Sequence, residues 1–147
     1  MNGCLACDLA EGRLPLPGGR IAETESWLVE HTVGPLTLGT LIVKPKRHVV
    51  HVADLTDDEA AELGPLLRRS CEVVTTLTRP EQVYVTLWSH AGAVPGHIHF
   101  VVQPVTRETM DALEGYGPPL QVRMFEEDVA LEPAAIDAFA EKARDLF

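Results

Sequence analysis

The chain has 147 residues, of which 46% are hydrophobic and 23% are charged, and its formal net charge is −10. This length fits a single domain with one core, and the negative charge argues against nucleic acid or an acidic membrane as the main partner. The opening Met1-Asn2-Gly3-Cys4-Leu5 lacks the basic and apolar regions of a secretory signal, so we expect a cytoplasmic protein. Three cysteines argue against a disulfide framework and leave metal or core roles open.

The first half of the chain predicts short strands followed by a long helix. Three strands are expected, at Arg20–Ala22, Ser26–His31 and Leu38–Lys44. The sequence Thr56-Asp57-Asp58-Glu59 matches a capping box and predicts the start of the helix. Pro65 should kink this helix or split it after Leu63, because proline lacks a backbone donor and clashes with the preceding turn.

The second half predicts two strands separated by a loop, then two helices. Gln82–Trp88 alternates in the manner of a strand, and the glycines and proline of Ser89–Gly96 predict a loop. A second strand is expected from Gly96 onward and should end at Pro104, which cannot donate to a ladder. The two helices are predicted at Arg107–Glu114 and Pro133–Leu146.

Strands joined by short turns predict an α+β domain. We expect an antiparallel sheet of about five strands with helices packed on one face. Residues 1–106 should form the main domain, and residues 107–147 should form a C-terminal helical extension packed on it.

Two histidines share one face of the strand that is predicted after the loop. Alternation separates the apolar side chains of Ile98, Phe100 and Val102 from a second set, namely His97, His99, Val101 and Gln103. Two imidazoles about 7 Å apart on a rigid element suit metal ligation or catalysis on an anion. They are also compatible with a half-buried strand whose histidines have no chemical role.

Cys4 and Cys7 form the second informative pattern. Two thiolates at this spacing can bind one Zn²⁺, and two further nitrogen or sulfur ligands would close a tetrahedral structural site. A redox pair is the alternative, but such a pair normally follows a strand, and we expect no strand before position 4. The remaining metal ligands would have to be histidines, and the chain offers His31, His48, His51, His90, His97 and His99.

These patterns together resemble the histidine-triad (HIT) family of nucleotide hydrolases and transferases. The resemblance rests on three segments in family order, Cys4-Leu5-Ala6-Cys7, Lys44-Pro45-Lys46-Arg47-His48 and His97-Ile98-His99-Phe100-Val101-Val102. It implies that a structural zinc is bound by Cys4, Cys7, His48 and His97. It also implies a homodimer, a small nucleotide or nucleotide conjugate as ligand, and His99 as the nucleophile.

Three departures from the family pattern concern substrate binding. Val101 stands where members usually have a third histidine, which positions the phosphate or the leaving-group oxygen. The loop that includes His90 is shorter than in many relatives, and Thr32 stands where relatives have an acid that binds ribose. With the basic Lys44–Arg47 segment expected to attract phosphate, the candidate substrate-binding residues are Gln103, Lys44, His90, Thr32 and Val101.

Two functional interpretations follow from the resemblance. The first is a hydrolase or nucleotidyltransferase that acts on phosphoanhydride or phosphoramidate bonds at the α-phosphate, through a covalent intermediate on His99. The second is a zinc-stabilised nucleotide-binding or regulatory module of the same fold with little or no catalysis. A zinc-free α+β domain of unrelated function is the third alternative.

Overall fold

A five-stranded antiparallel sheet in the order β1-β2-β3-β5-β4 forms the centre of the protein. The computed structural model describes residues 3–94 and 96–147, so the predictions that include Met1, Asn2 and Pro95 fall partly outside the described residues. The strands are β1 (Arg20–Glu23), β2 (Trp27–His31), β3 (Leu41–Pro45), β4 (Gln82–Thr86) and β5 (Phe100–Val105). This architecture confirms the predicted α+β fold class.

The helices include two that the sequence did not predict. They are α1 (Leu5–Ala10), α2 (Asp57–Thr78), α3 (Arg107–Ala112), α4 (Gly117–Glu126) and α5 (Pro133–Arg144), with a 3₁₀ turn at Val52–Asp54. The unpredicted α1 is too short to show a helical period, and the prolines at the start of α4 hid that helix. Within residues 3–94 and 96–147, none of the helices combines the length and apolar character that a bilayer-spanning segment needs.

The core lies between one face of the sheet and the helices α2 and α5. Alternate strand residues point into it, namely Trp27, Val29, Leu41, Val43 and Val102. The indole of Trp27 also donates a hydrogen bond of 2.9 Å to the Glu59 carbonyl, which ties β2 to the first turn of α2. From α5, Phe139, Ala140 and Ala143 close the same core. The opposite face of the sheet is therefore left for the site described below.

Helix α2 begins at the predicted capping box and passes through Pro65. The Thr56 hydroxyl accepts from the Glu59 backbone N–H at 3.2 Å, and the Glu59 carboxylate accepts from the Thr56 N–H at 2.8 Å. The predicted split after Leu63 is wrong, because α2 is continuous from Asp57 to Thr78. Pro65 lies on the exposed side, and the burial of later helix residues such as Leu66 and Val73 offsets the lost hydrogen bond.

Pro104 lies inside β5, so the prediction that it ends the strand is wrong. The Val105 carbonyl accepts from the Glu81 N–H, on the β4 side, which turns the nitrogen of Pro104 toward the opposite side of β5. On that side β3 pairs only with Phe100–Val102. The missing donor of Pro104 therefore costs no ladder bond.

Candidate functional site

Four predicted metal ligands converge at one end of the sheet. The Sγ atoms of Cys4 and Cys7 and one ring nitrogen each of His48 and His97 all lie within 4.8 Å of one another. Cys7 Sγ is 3.3 Å from His48 Nδ1 and 3.5 Å from His97 Nδ1. Tetrahedral zinc with ordinary bond lengths separates its ligand atoms by roughly 3.3–3.8 Å. The donor set and its spacing therefore fit a zinc ion.

Three segments of the chain contribute the residues of this cluster. Cys4 is the N-cap of α1 and Cys7 lies in its first turn, while His48 follows the end of β3 and His97 precedes β5. His97 Nε2 donates to the carbonyl of Pro45 at 2.9 Å, so its Nδ1 lone pair is directed at the sulfur atoms. In metal sites the ring nitrogen of a ligating histidine that does not bind the metal commonly donates its proton to a backbone carbonyl in this way.

Burial shifts the pKa of two residues of the cluster, His97 and Cys7. Burial lowers the pKa of His97 to about 4, so its imidazole is neutral and able to ligate. Burial also raises the pKa of the Cys7 thiol, and the neighbouring Cys4 acts in the same direction. A bound cation would reverse the effect on the Cys7 thiol, because metal ligation requires the thiolate.

A cavity of about 460 Å³ lies on the sheet face opposite the core. Its sheet wall contains Val101 and Gln103 from β5 and Lys44 from β3, as alternation predicts. Thr32, His90 and His99 also line it, so the structure brings all six predicted catalytic and substrate-binding residues to one cavity. It is bordered by the two helices that the sequence did not predict, α1 and α4.

The hydrogen bonds of His99, which immediately precedes β5, favour one tautomer of its ring. Its Nδ1 lies 3.0 Å from the His97 carbonyl and 2.9 Å from the Ser89 hydroxyl, and this hydroxyl accepts from the His99 backbone N–H at 3.1 Å. Because a carbonyl oxygen can only accept, Nδ1 carries the proton and donates. In the neutral ring the lone pair is therefore on Nε2, where it could act as a nucleophile.

Lys44 is buried in the cavity wall and is not a free cation. Its ammonium lies 2.5 Å from Glu30 Oε1 and donates to the Ala6 carbonyl at 3.0 Å. Burial raises the pKa of the Glu30 carboxyl, and the adjacent Lys44 offsets part of that rise. The hydrogen bond from Lys44 to the Ala6 carbonyl also connects the cavity wall to α1, the helix that contains Cys7.

The rest of the basic segment is paired as well. Lys46 lies 3.3 Å from Glu23, and Arg47 lies 2.8 Å from Glu59, which holds the pKa of the Glu59 carboxyl at about 2. Each cation of Lys44–Arg47 therefore has an acidic partner, although Lys46 shares Glu23 with Arg20, and Lys46 and Arg47 are not among the described residues that line the cavity. The carboxylates that neutralise this segment are distant in sequence, so the run of bases alone could not reveal them.

The remaining candidate residues make internal hydrogen bonds at the cavity. Gln103 Oε1 accepts from Gln121 Nε2 at 3.1 Å, and the Thr32 hydroxyl accepts from the Gly34 N–H at 3.0 Å. His90 Nδ1 lies 2.7 Å from the Ala91 carbonyl and donates to it. Sequence reasoning missed Gln121, because no motif marked α4 as part of the site.

Comparison with known proteins gives both sequence and structural relatives. No family model matches the chain. Adenosine 5'-monophosphoramidase hnt1 from Schizosaccharomyces pombe is 29% identical over 108 residues, which cover 71% of this chain and 76% of that protein. AP-4-A phosphorylase from Mycobacterium tuberculosis is 36% identical over 73 residues, which cover 48% of this chain and only 37% of that protein.

The solved structures show the fold. A Hit-like protein involved in cell-cycle regulation from Bartonella henselae has a TM-score of 0.74 and 15% identity, over 100% of this chain and 98% of that one. A Zn-bound histidine triad family protein from Mycobacterium smegmatis has a TM-score of 0.69 and 20% identity, over 97% and 91% of the two chains. This chain has the histidine-triad (HIT) fold and resembles HIT proteins in sequence. The HIT resemblance seen in the sequence is thus confirmed.

Proposed function

We propose that this HIT-like protein is a hydrolase or nucleotidyltransferase that acts at the α-phosphate of a nucleotide conjugate through His99. The observation that carries the proposal is the hydrogen bond from His99 Nδ1 to the His97 carbonyl, which in the neutral ring leaves the lone pair on Nε2 of a side chain that lines the cavity. The names of the two curated relatives, a monophosphoramidase and a phosphorylase of AP-4-A, support a nucleotide substrate.

The chemistry proceeds in two displacements at phosphorus. The Nε2 lone pair of His99 attacks the α-phosphorus, forming a P–N bond while the bond to the leaving group breaks and its electron pair goes to the leaving atom. The leaving group takes a proton from solvent. Water or another acceptor then attacks phosphorus, the P–Nε2 bond breaks, and the acceptor loses its proton to solvent.

The surroundings of His99 suit the charge that develops on its ring. In the covalent intermediate the imidazole ring carries a positive charge, which the Nδ1–H shares with the His97 carbonyl. The Ser89 hydroxyl lies beside the same nitrogen and fixes the ring plane. These two contacts orient Nε2 before substrate arrives.

A structural zinc is part of the proposal. Cys4, Cys7, His48 and His97 would hold it, and its contribution is to fix the backbone at His97. Because the His97 carbonyl orients His99, a distortion of the cluster would reach the nucleophile through two residues of backbone.

The C-terminal extension is proposed to act as part of the same unit. Gln121 and Phe125 from α4 border the cavity, and α5 packs on β1, β2 and α2. Residues 107–147 would therefore contribute to the site that residues 1–106 carry.

We also infer a homodimer, from the HIT resemblance, and light scattering of the purified protein tests it.

A nucleotide-binding module without efficient catalysis is the second candidate function. Val101 places a side chain that cannot hydrogen-bond beside His99, and the ammonium of Lys44 is committed to Glu30. Both features reduce the polar contacts available to a phosphate. Calorimetric binding of AMP without product formation would favour this candidate over the enzyme.

The test of the enzyme proposal is the loss of turnover in His99→Ala. Removal of a nucleophile costs roughly a thousandfold or more in turnover, and this is expected for release of AMP from adenosine 5'-phosphoramidate. The matched control is His51→Ala, which removes an exposed histidine outside the cavity and the cluster. Equal activity of the two variants would contradict the proposal.

A further inference from the structure

Helix α1 connects the four-residue metal cluster to the wall of the cavity. Cys4 is the N-cap of this helix, and Cys7 lies in its first turn. Leu5 and Ala6, the two residues between them, border the cavity, and the Ala6 carbonyl accepts from the ammonium of Lys44 at 3.0 Å. A rearrangement of the backbone between the two cysteines therefore acts directly on the cavity wall.

The two cysteines are close enough to form a disulfide with each other. Their Sγ atoms lie within 4.8 Å of one another. Residues three apart on a helix have Cβ atoms roughly 5–6 Å apart, and a disulfide needs roughly 3.5–4.5 Å, so this turn has to contract by about 1–2 Å. Both cysteines are 7% exposed, whereas His97 is 0% exposed. Of these three ligands, the cysteines are therefore the ones in contact with solvent.

Zinc binding and disulfide formation compete for the same two sulfur atoms. A cysteine ligates zinc as the thiolate, and a sulfur atom in a disulfide is no longer a thiolate. The cluster contains two thiols and two histidines, so one disulfide removes half of its ligands. The two cysteines are also the ligands that α1 supplies, and their loss separates α1 from the end of β3 and the start of β5.

We propose that Cys4 and Cys7 form a redox switch, in which hydrogen peroxide closes a disulfide between them, the zinc is released, and α1 moves away from the cavity wall. The proposal rests on the proposed zinc site and goes beyond the proposed function, since it makes the nucleotide-binding cavity sensitive to oxidants. Cys71 is not part of the switch, because it lies in α2 and outside the cluster.

The oxidation proceeds in two displacements. One thiolate attacks an oxygen atom of hydrogen peroxide, the O–O bond breaks, and hydroxide leaves as the attacking sulfur becomes a sulfenic acid. The other thiolate attacks this sulfur, the S–O bond breaks, a second hydroxide leaves and the disulfide forms. The two sulfur atoms together lose two electrons, which reduce the peroxide to two hydroxides. A dithiol reductant reverses the reaction by thiol–disulfide exchange.

The first experiment adds excess hydrogen peroxide to the zinc-loaded full chain and measures the released zinc with a colorimetric chelator. The same samples are alkylated, digested and analysed by mass spectrometry. We expect zinc release in step with a Cys4–Cys7 disulfide, seen as the loss of two hydrogen atoms from the peptide that contains both cysteines. Reduction with dithiothreitol should restore zinc binding. Cys71→Ser is the matched control and should release zinc as the wild type does.

The outcomes of this experiment separate the switch from the metal site. Zinc that stays bound in excess peroxide would overturn the switch alone. Zinc release that comes with sulfinic or sulfonic acids instead of the disulfide, and that dithiothreitol does not reverse, would also overturn it. A chain that binds no zinc would refute the proposed zinc site and the switch together.

The second experiment tests whether the switch reaches the cavity. Hydrogen exchange of the Leu5–Ala10 amides and calorimetric binding of AMP are compared between the reduced, zinc-loaded protein and the oxidised protein. We expect faster exchange in α1 after oxidation and AMP binding that is weaker by roughly 5- to 150-fold, the usual range of coupling between two sites. Unchanged exchange or unchanged affinity would overturn the effect on the cavity. Faster exchange in a protein that binds no AMP in either form would support the switch and refute the proposed function.

Discussion

Removal of the proposed zinc should lower the melting temperature of the protein by an amount that can be calculated. The four ligands join the N-terminal helix, the end of β3 and the segment before β5, across sequence separations of 41 residues for Cys7–His48 and 93 for Cys4–His97. A site that is saturated at a thousand times its dissociation constant stabilises the folded state by about 4 kcal/mol. For a chain of this size each kcal/mol shifts the melting temperature by about 2–4 °C, so the expected loss is roughly 8–16 °C.

The assay is differential scanning calorimetry with and without a chelator, together with metal analysis of the protein purified under reducing conditions. Cys7→Ser should reproduce the chelated melting temperature and respond no further to chelator, since it removes one ligand. Cys71→Ser is the matched control, because this half-buried cysteine lies outside the cluster. Protein that contains no zinc and melts at the same temperature with and without chelator would refute the metal-site hypothesis.

Two further predictions concern the ion pairs that neutralise the basic segment. Arg47 holds the pKa of Glu59 at about 2, below its ordinary value of 4.5, so the ion pair stabilises the folded state fully above pH 4.5 and this stabilisation is lost as pH falls toward 2. Glu59→Gln lacks this ion pair, so its stability should fall less steeply with decreasing pH in acid unfolding followed by circular dichroism. Identical profiles for the variant and the wild type would contradict the assignment. Lys44→Met leaves Glu30 buried without its partner and should cost about 3–5 kcal/mol in urea unfolding, whereas adding Glu30→Leu to the same chain should recover most of that loss.

The fold was predictable wherever local chemistry and tertiary packing agree. The Thr56–Glu59 capping box marked the start of α2 because both of its hydrogen bonds lie within four residues. Pro65 was misjudged because the burial of later helix residues offsets its lost hydrogen bond, and Pro104 was misjudged because no ladder partner lies opposite its nitrogen; sequence reveals neither. At Pro104 the neighbouring strand β3 has already ended, so the rule against proline in strands does not apply there.

The sequence predicted which residues come together at the candidate site, but it did not predict that the charge of Lys44 is paired there. Cys4 and His97 are 93 residues apart, and only the family resemblance joined them before the fold was known. Alternation placed His99, Val101 and Gln103 together on one face. The burial of Lys44 against Glu30 could not be predicted, because a lysine at a strand end is ordinarily solvated.

The most direct test of the account is a search for the covalent intermediate on His99. The full chain is mixed with adenosine 5'-phosphoramidate, quenched at alkaline pH within the first turnover, digested and analysed by mass spectrometry. The account predicts an adenylyl group on the peptide that contains His99, present in His51→Ala and absent in His99→Ala. Release of AMP by wild-type protein with no adenylylated peptide, or with the group on another residue, would contradict it.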